Sequence, residues 1–569
     1  MINTYHPRLI ISRQLLYHIE NQLMLNHILS AFRTYMHGDG AVLLPEMQLF
    51  LFAIGTLAMD SWASNTSNET NGANAIFQQK YWNPALALAG VGFSALTLWM
   101  LRARIMQSGQ LAGFHLTLVV DSYFVFFSAL LLAATALVIL LSVHCDAISP
   151  VRQGRYYALL LCACMSMMLM VSAVDLLVIF LAVEAASVSA YFLAATPGVS
   201  NGTPSAAVRF LFSSALGSAL VAYAFSLLYG LSGASNISQV AGALARRHNV
   251  AKVIALSHEN GSQGLQMLQL LQSRLPEAVH WHGFTLEALP IAAFVLVSAG
   301  MILKFAAPPF QAKFNAENGE ADSVIPNPVI LYLAGVYAIA AVALLLRLLF
   351  TMFADSQNIW WYIVAALAIG GISYAVVASL REKNLERIVV YLSIAQMGYV
   401  LLGVVAANEA AATAMTYYLF AYLFLVTGVF GVLLVVLGTD TAMGVLKDLS
   451  GLRRRSPVTA LLLIIFMLSL AGAPPTAGFF GRYFIFHSLW ETGHRYIAWF
   501  VAGSSLPMAY SYLRIAVYAW RGEKAESQVA AVSLGVPEAV VLGICVFVSL
   551  AAGLYSEPFT RMARYAFGQ

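Results

Sequence analysis

Charge is what this sequence has least of. Only 10% of its 569 residues are Asp, Glu, Lys or Arg, against about 25% in an ordinary soluble domain. That excludes a string of soluble domains. The small net charge of +4 offers nothing for nucleic acid. Cysteine is scarce too: Cys145, Cys162, Cys164 and Cys545 are all there are. Cys162-Ala-Cys164 stands in an apolar run and lacks C-x-x-C spacing, so it reads as small apolar residues in a helix rather than a redox or metal motif. No glycine-rich nucleotide loop occurs, and no haem or iron–sulfur motif. If electrons are involved, they pass through another subunit. The first 40 residues are polar and basic and lack the apolar core of a signal peptide. They read as a poorly ordered or amphipathic extension, with Met36 as an alternative start.

What is there is apolar: 60% of the chain is hydrophobic. Runs of helix-spanning length, about 20 residues each, recur along almost all of it. The expected fold is an all-α polytopic membrane protein of about 14 spans. They are placed near 42–61, 82–101, 120–143, 155–173, 175–195, 206–231, 288–309, 328–350, 359–380, 386–407, 412–437, 457–490, 494–520 and 534–555. The stretch 457–490 is too long for one straight span and holds Ala473-Pro474-Pro475 at its middle, so two half-helices are expected there. Two polar stretches interrupt the pattern. The first, 62–81, is Asn/Ser/Thr-rich, and its sequons at Asn65 and Asn68 read as chance matches. The second, 232–287, is long and carries Arg246-Arg247-His248 and His280-Trp-His282. No third metal ligand accompanies those histidines, so it reads as a solvated insert.

Loops after odd-numbered spans carry most of the flanking basic residues, among them Arg152, Arg155, Arg381, Lys383, Arg387, Lys447 and the run Arg453-Arg454-Arg455. By the positive-inside rule those loops face the cytoplasm, and both termini lie on the outer side.

Charges within the spans are few, and a charge in lipid-spanning sequence is costly, roughly +2.5 kcal/mol or more at a helix centre. Glu184 lies near the centre of its span and is followed by Ala185, Ala186, Ser187, Ser189 and Ala190, which let another helix approach closely. An isolated carboxylate there takes up a proton and a paired one stays charged; either state suits a proton carrier, whereas the structural alternative is a permanent ion pair. Lys304 is its natural partner, with snorkelling as the alternative. It precedes Pro308 and Pro309, which remove two backbone donors and break the helix. Arg482 differs in kind: arginine holds its proton and can fix a carboxylate or repel protons, but relays poorly. Arg347, Arg514, Asp60, Asp121, Asp175 and Glu46 sit near span ends and read as interfacial.

There is an internal echo. Lys304-Phe-Ala-Ala-Pro308-Pro309 is answered by Ala473-Pro474-Pro475-Thr-Ala-Gly-Phe-Phe-Gly-Arg482. Matching broken helices in two halves point to a transport site. The seventh and twelfth spans enter from opposite sides, so the repeat, if it is one, is inverted.

Several blocks carry a resemblance: Leu43-Leu-Pro-Glu46, Asp175-Leu-Leu with Glu184, Arg209-Phe-Leu-Phe-Ser-Ser-Ala-Leu-Gly, the Lys304 stretch, Leu385-Glu-Arg-Ile-Val-Val-Tyr-Leu-Ser-Ile-Ala-Gln396, and Ala471-Gly-Ala-Pro-Pro-Thr-Ala-Gly-Phe. Over roughly 42–555 the chain resembles the antiporter-like membrane subunits of proton-pumping NADH–quinone oxidoreductase (respiratory complex I), subunit N in particular.

The resemblance implies two inverted five-helix repeats with broken helices 7 and 12. The chain then divides into an extension (1–41), three leading helices (42–154), a first repeat of helices 4–8 (155–350, with the insert 232–287), a second of helices 9–13 (351–520), and a last helix and C-terminus (521–569). It implies a bacterial inner-membrane subunit, partnered by other membrane-arm subunits and the bilayer, that moves protons while quinone is reduced elsewhere. NADH, FMN, iron–sulfur clusters and quinone are expected in partner subunits and no cofactor in this chain. The implied proton path runs through Glu184 and Lys304. Its continuation departs from the family pattern: Ala338 stands where a lysine is expected, Arg482 in place of a second, and Gln311 and Gln396 in place of histidines. Two alternatives follow. One is a subunit of a multisubunit cation/proton antiporter; the other is a non-pumping structural or coupling subunit of complex I.

Overall fold

The computed structural model describes residues 39–66, 72–145, 153–195, 205–246, 288–305, 327–353, 357–437, 444–521 and 534–567. Pro308, Pro309 and Gln311, and most of the segments 1–41 and 232–287, lie outside the described residues.

The chain is a bundle of apolar helices. In order they are α1 (Gly40–Thr66), α2 (Gly72–Ser108), α3 (Ser122–Ser142), α4 (Gln153–Ser172), α5 (Leu176–Ala195), α6 (Ser205–Ser232), α7 (Ala288–Phe305), α8 (Asn327–Thr351), α9 (Gln357–Arg381), α10 (Leu385–Ala406) and α11 (Glu409–Leu437). Then come α12 (Pro457–Ala471), α13 (Ala477–Glu491), α14 (Arg495–Trp520), α15 (Val536–Leu554) and α16 (Glu557–Tyr565). A helix satisfies its own backbone, which is why such runs can cross lipid. Among the described residues, 11 helices are long and apolar enough to do so. The other three expected spans fall on α7, on the α12–α13 pair and on α14.

Burial sorts the helices. Of the spanning windows of α8 and α11, 89% is buried, against 33% for α1 and for α6. The first two are therefore the axis of the bundle and the last two its exposed rim. α3 is pinned at both ends. At one, Arg347 of α8 pairs with Asp121 at 3.0 Å and donates to Val171 O. At the other, His144 Nδ1 lies 3.0 Å from Glu538 Oε1 at the start of α15.

Two expectations are corrected. The loop 62–81 is mostly helix, because α1 runs to Thr66 and α2 starts at Gly72. The polar residues there extend helices beyond the apolar stretch rather than ending them. An antiparallel hairpin, β1 (Leu111–Gly113) with β2 (Leu118–Val120), precedes α3 where plain loop was expected. Its turn holds Phe114, His115 and Leu116 at positive φ. Arg347, Glu46 and Asp60, read as interfacial from their places near span ends, are also buried, at 8%, 1% and 7% exposure. Helix ends that appear terminal in sequence are covered here by neighbouring helices.

Candidate functional site

The first centre forms where α5, α6, α7 and α8 meet. Lys304 lies one residue before the end of α7, where a lysine on a rim helix would snorkel. It does not: its side chain is fully buried. Nζ lies 2.7 Å from Glu184 Oε1 and donates to Ser187 Oγ at 3.0 Å. Glu184 and Ser187 are one helical turn apart on α5, so both face the same ammonium. The Ser187 hydroxyl itself donates to Val183 O at 2.8 Å. Tyr337 of α8 is buried beside Ser187 and Glu184. The Glu184 side chain keeps 30% exposure. It sits on the stripe of α5 that also presents Leu177, Leu181, Val188 and Phe192 outward. One member of the pair is thus enclosed and the other reaches the rim.

What lets Lys304 turn inward is a seam of small residues. A side chain at Gly217 of α6 would place its Cβ 2.7 Å from Lys304 Cγ and 2.9 Å from Gly300 O. One at Gly300 would meet Gly217 O at 2.8 Å. The two backbones therefore touch at this crossing, and the lysine stem lies flat over Gly217. Gly217 was noted in sequence only within a longer family block, and nothing there paired it with Gly300.

The second centre is the break between α12 and α13. α12 ends on Gly472 at φ 86, the chain turns through Ala473–Thr476, and α13 restarts at Ala477. Both Pro474 and Pro475 lie in that turn. The two half-helices expected within 457–490 are there. Arg482 of α13 folds back over the break and donates to Ala471 O at 3.0 Å and to Leu470 O. A helix C-terminus carries unsatisfied carbonyls and partial negative charge, so a guanidinium is a fitting cap. Gln396 of α10 accepts from Arg482 Nη2 at 3.3 Å and from the Tyr418 hydroxyl, and donates to Tyr512 Oη at 3.0 Å. Tyr418 Oη accepts from Arg482 Nε at 3.2 Å, and the Tyr399 ring centroid lies 5.3 Å from the guanidinium carbon. Among the described residues, every hydrogen-bond partner of Arg482 is uncharged. The sequence singled out Arg482 and Gln396 separately. It did not show that they join, nor that three tyrosines and two carbonyls complete the cage.

Between the two centres stands Ala338. With Ala334, it lines a cavity of about 440 Å³ reached by Ile302 of α7, Tyr374 of α9 and Ser393 of α10. The walls are mostly Ala, Gly, Leu and Ile. A π-helical turn, Tyr332–Val336, immediately precedes it in α8 and resets the face that follows. The structure therefore brings Glu184 to Lys304 and Gln396 to Arg482. At Ala338, between them, it leaves space rather than a titratable group.

Residues 173–506 match the family model described as "NADH:quinone oxidoreductase/Mrp antiporter, TM". The chain is 31% identical over 497 residues to NADH-quinone oxidoreductase subunit N 1 of Koribacter versatilis, covering 86% of this chain and 89% of the relative. It is 30% identical over 483 residues to subunit N 2 of Solibacter usitatus, covering 84% and 88%. Among solved structures, a chain of respiratory complex I from Thermus thermophilus with bound Aureothin aligns at TM-score 0.66. The two are 22% identical, with 91% of this chain and 99% of that one covered. A chain of the Mrp complex from Dietzia sp. DQ12-45-1b aligns at TM-score 0.69 and 16% identity, over 92% and 97%.

Proposed function

Since the chain belongs to the NADH:quinone oxidoreductase/Mrp antiporter transmembrane family, we propose that it serves as a membrane-arm subunit of a bacterial NADH–quinone oxidoreductase, coupling quinone reduction in partner subunits to proton translocation. The observation that carries this is the buried Lys304–Glu184 contact at 2.7 Å, backed by Ser187. A lysine can give up its proton and a carboxylate can receive one, so the pair can exist as two ions or as two neutral groups. Both states avoid a lone charge in the bundle. A change in the local field, such as a charge moving in a neighbouring subunit, tips one into the other. Proton exchange is assigned to this pair alone. Arg482 stays protonated and acts as a fixed cation. Nicotinamide, flavin, iron–sulfur and quinone chemistry is assigned to partner subunits.

The test is proton transfer per electron by the assembled complex in sealed vesicles. Glu184→Gln and Lys304→Ala should each lower that ratio while the complex still assembles. Full pumping in both variants would overturn the assignment. The proposed orientation puts the 444–456 segment on the cytoplasmic side and α16 on the outer side. Cysteines placed at Lys447 and Met562 should then be labelled from opposite faces by an impermeant reagent, with Lys447 reached from the cytoplasm.

A second reading for the back half rests on Ala338 and Arg482: that half is a rigid coupling block with no proton step of its own. Ala338 faces an apolar space, and Arg482 is held by neutral groups.

A further inference from the structure

Outside both centres, a groove runs along the bundle between α2, α3, α11 and α16. Its volume is about 1070 Å³. It follows α2 from Leu88 to Arg102, about 21 Å at the rise of an α-helix. That is longer than one leaflet of hydrocarbon, about 15 Å. The floor is made by Ala129, Ala133 and Ala136 of α3, which lie at helical spacing on one face. Gly92 opens into it, and a Cβ added there would meet nothing within 4 Å. Nearly all of this lining is apolar.

One end of the groove is different. Arg102, Arg561 and Arg564 all line it there, and all three are exposed. Arg102 stacks on Tyr565 at 5.1 Å. Arg561 is paired with Glu557 one turn earlier on α16. Among the described residues, neither Arg102 nor Arg564 has an acidic partner. α16 is amphipathic: Ala563 is buried, and the Phe559 ring packs on Phe420 at 5.4 Å. Its arginines stay outward, as in a helix lying at the membrane surface. Trp99, three residues before Arg102 on α2 and 67% exposed, also lines the groove, as aromatic side chains do near the headgroup zone.

We propose that this groove is a binding site for an anionic glycerophospholipid, its acyl chain along the Gly92–Ala133 floor and its phosphate between Arg102 and Arg564. The charge pattern selects the occupant. An apolar trough alone would take any lipid or a partner helix, but two guanidinium groups without an acidic partner among the described residues, at the end of an apolar trough, match an anionic head. Tyr565, under Arg102, holds one guanidinium in place before the lipid arrives.

The experiment uses the intact complex that contains this chain, in nanodiscs of phosphatidylglycerol mixed with phosphatidylcholine. Lipid that stays bound after extraction is counted by native mass spectrometry. Phosphatidylglycerol should be retained in excess. In the double variant Arg102→Gln, Arg564→Gln, its retention should fall by roughly fivefold per arginine, with phosphatidylcholine unaffected. The variant Gly92→Leu, Ala133→Leu fills the trough where there is room, so retention of both lipids should fall with the melting temperature unchanged. Equal retention of the two headgroups by the native complex would overturn the proposal. So would unchanged retention in the arginine variant, or a cross-link from position 99 showing a partner helix seated in the groove.

Discussion

Lys304 and Arg482 are both buried cations, and the protein satisfies them in opposite ways. Lys304 meets a carboxylate and a hydroxyl, so its proton has somewhere to go. Arg482 meets carbonyls, an amide and a tyrosine, none of which can take a proton from a guanidinium. Arg514 repeats the second solution at the end of α9, donating to Ser379 O and Glu382 O at 3.0 Å each. Hydrogen bonds from a charged donor contribute about 1.5–3 kcal/mol each. Arg482→Met should therefore cost roughly 3 kcal/mol or more, seen as a lower melting temperature of the detergent-solubilised complex. Arg482→Lys keeps the charge but not the planar fork that reaches several acceptors at once. It should recover part of that loss. Equal stability of all three proteins would mean that the cage contributes nothing. The sequence marked Arg482 as an odd charge. That its partners are the carbonyls of the preceding half-helix follows only from the backward fold of the break, since Leu470 and Ala471 have no sequence signature as acceptors.

Helices make these contacts possible through where they come close. α6 and α7 touch at Gly217 and Gly300, and this seam holds Lys304 against Glu184. Gly217→Val would force the seam apart, and overpacking of this kind costs typically 1–3 kcal/mol. The expected outcome is a modest loss of thermal stability together with a loss of pumping comparable to that of Lys304→Ala. Retained pumping would show that the exact approach of the two helices is immaterial. The break after α12 depends on Gly472, whose φ of 86 disfavours any residue with a side chain. Gly472→Ala should destabilise by about 1 kcal/mol, checked in the same melting assay. Pro474-Pro475 already made this break legible in sequence. The seam was not, because a glycine in an apolar helix looks the same whether it faces lipid or another backbone.

Across the whole molecule, the described helices alternate between two faces. Arg102 meets Tyr565 at one face, and His144 meets Glu538 at the other. The Lys304–Glu184 ion pair joins α7 to α5, and the Arg482 guanidinium on α13 is held by neutral groups on α10, α11 and α12. Ala338 lies between them beside a cavity of about 440 Å³. Such a space should accept Ala338→Lys without unfolding. If the interruption there limits transfer, that variant raises the protons moved per electron in vesicles. An unchanged ratio with a folded, assembled complex would leave the second half as a coupling block. The sequence by itself determined that the chain is helical and built for a membrane, because low charge and repeated apolar runs admit no other way of satisfying the backbone. It also singled out Glu184, Lys304 and Arg482, since charges are rare where each one is costly. Only the tertiary structure decided which charges meet. It drew Lys304 inward, buried Arg347 against Asp121, caged Arg482 among neutral groups and gathered arginines from α2 and α16 at one groove. The reason is that a charge's rarity can be read along one chain, whereas its partner depends on how closely two distant helices approach.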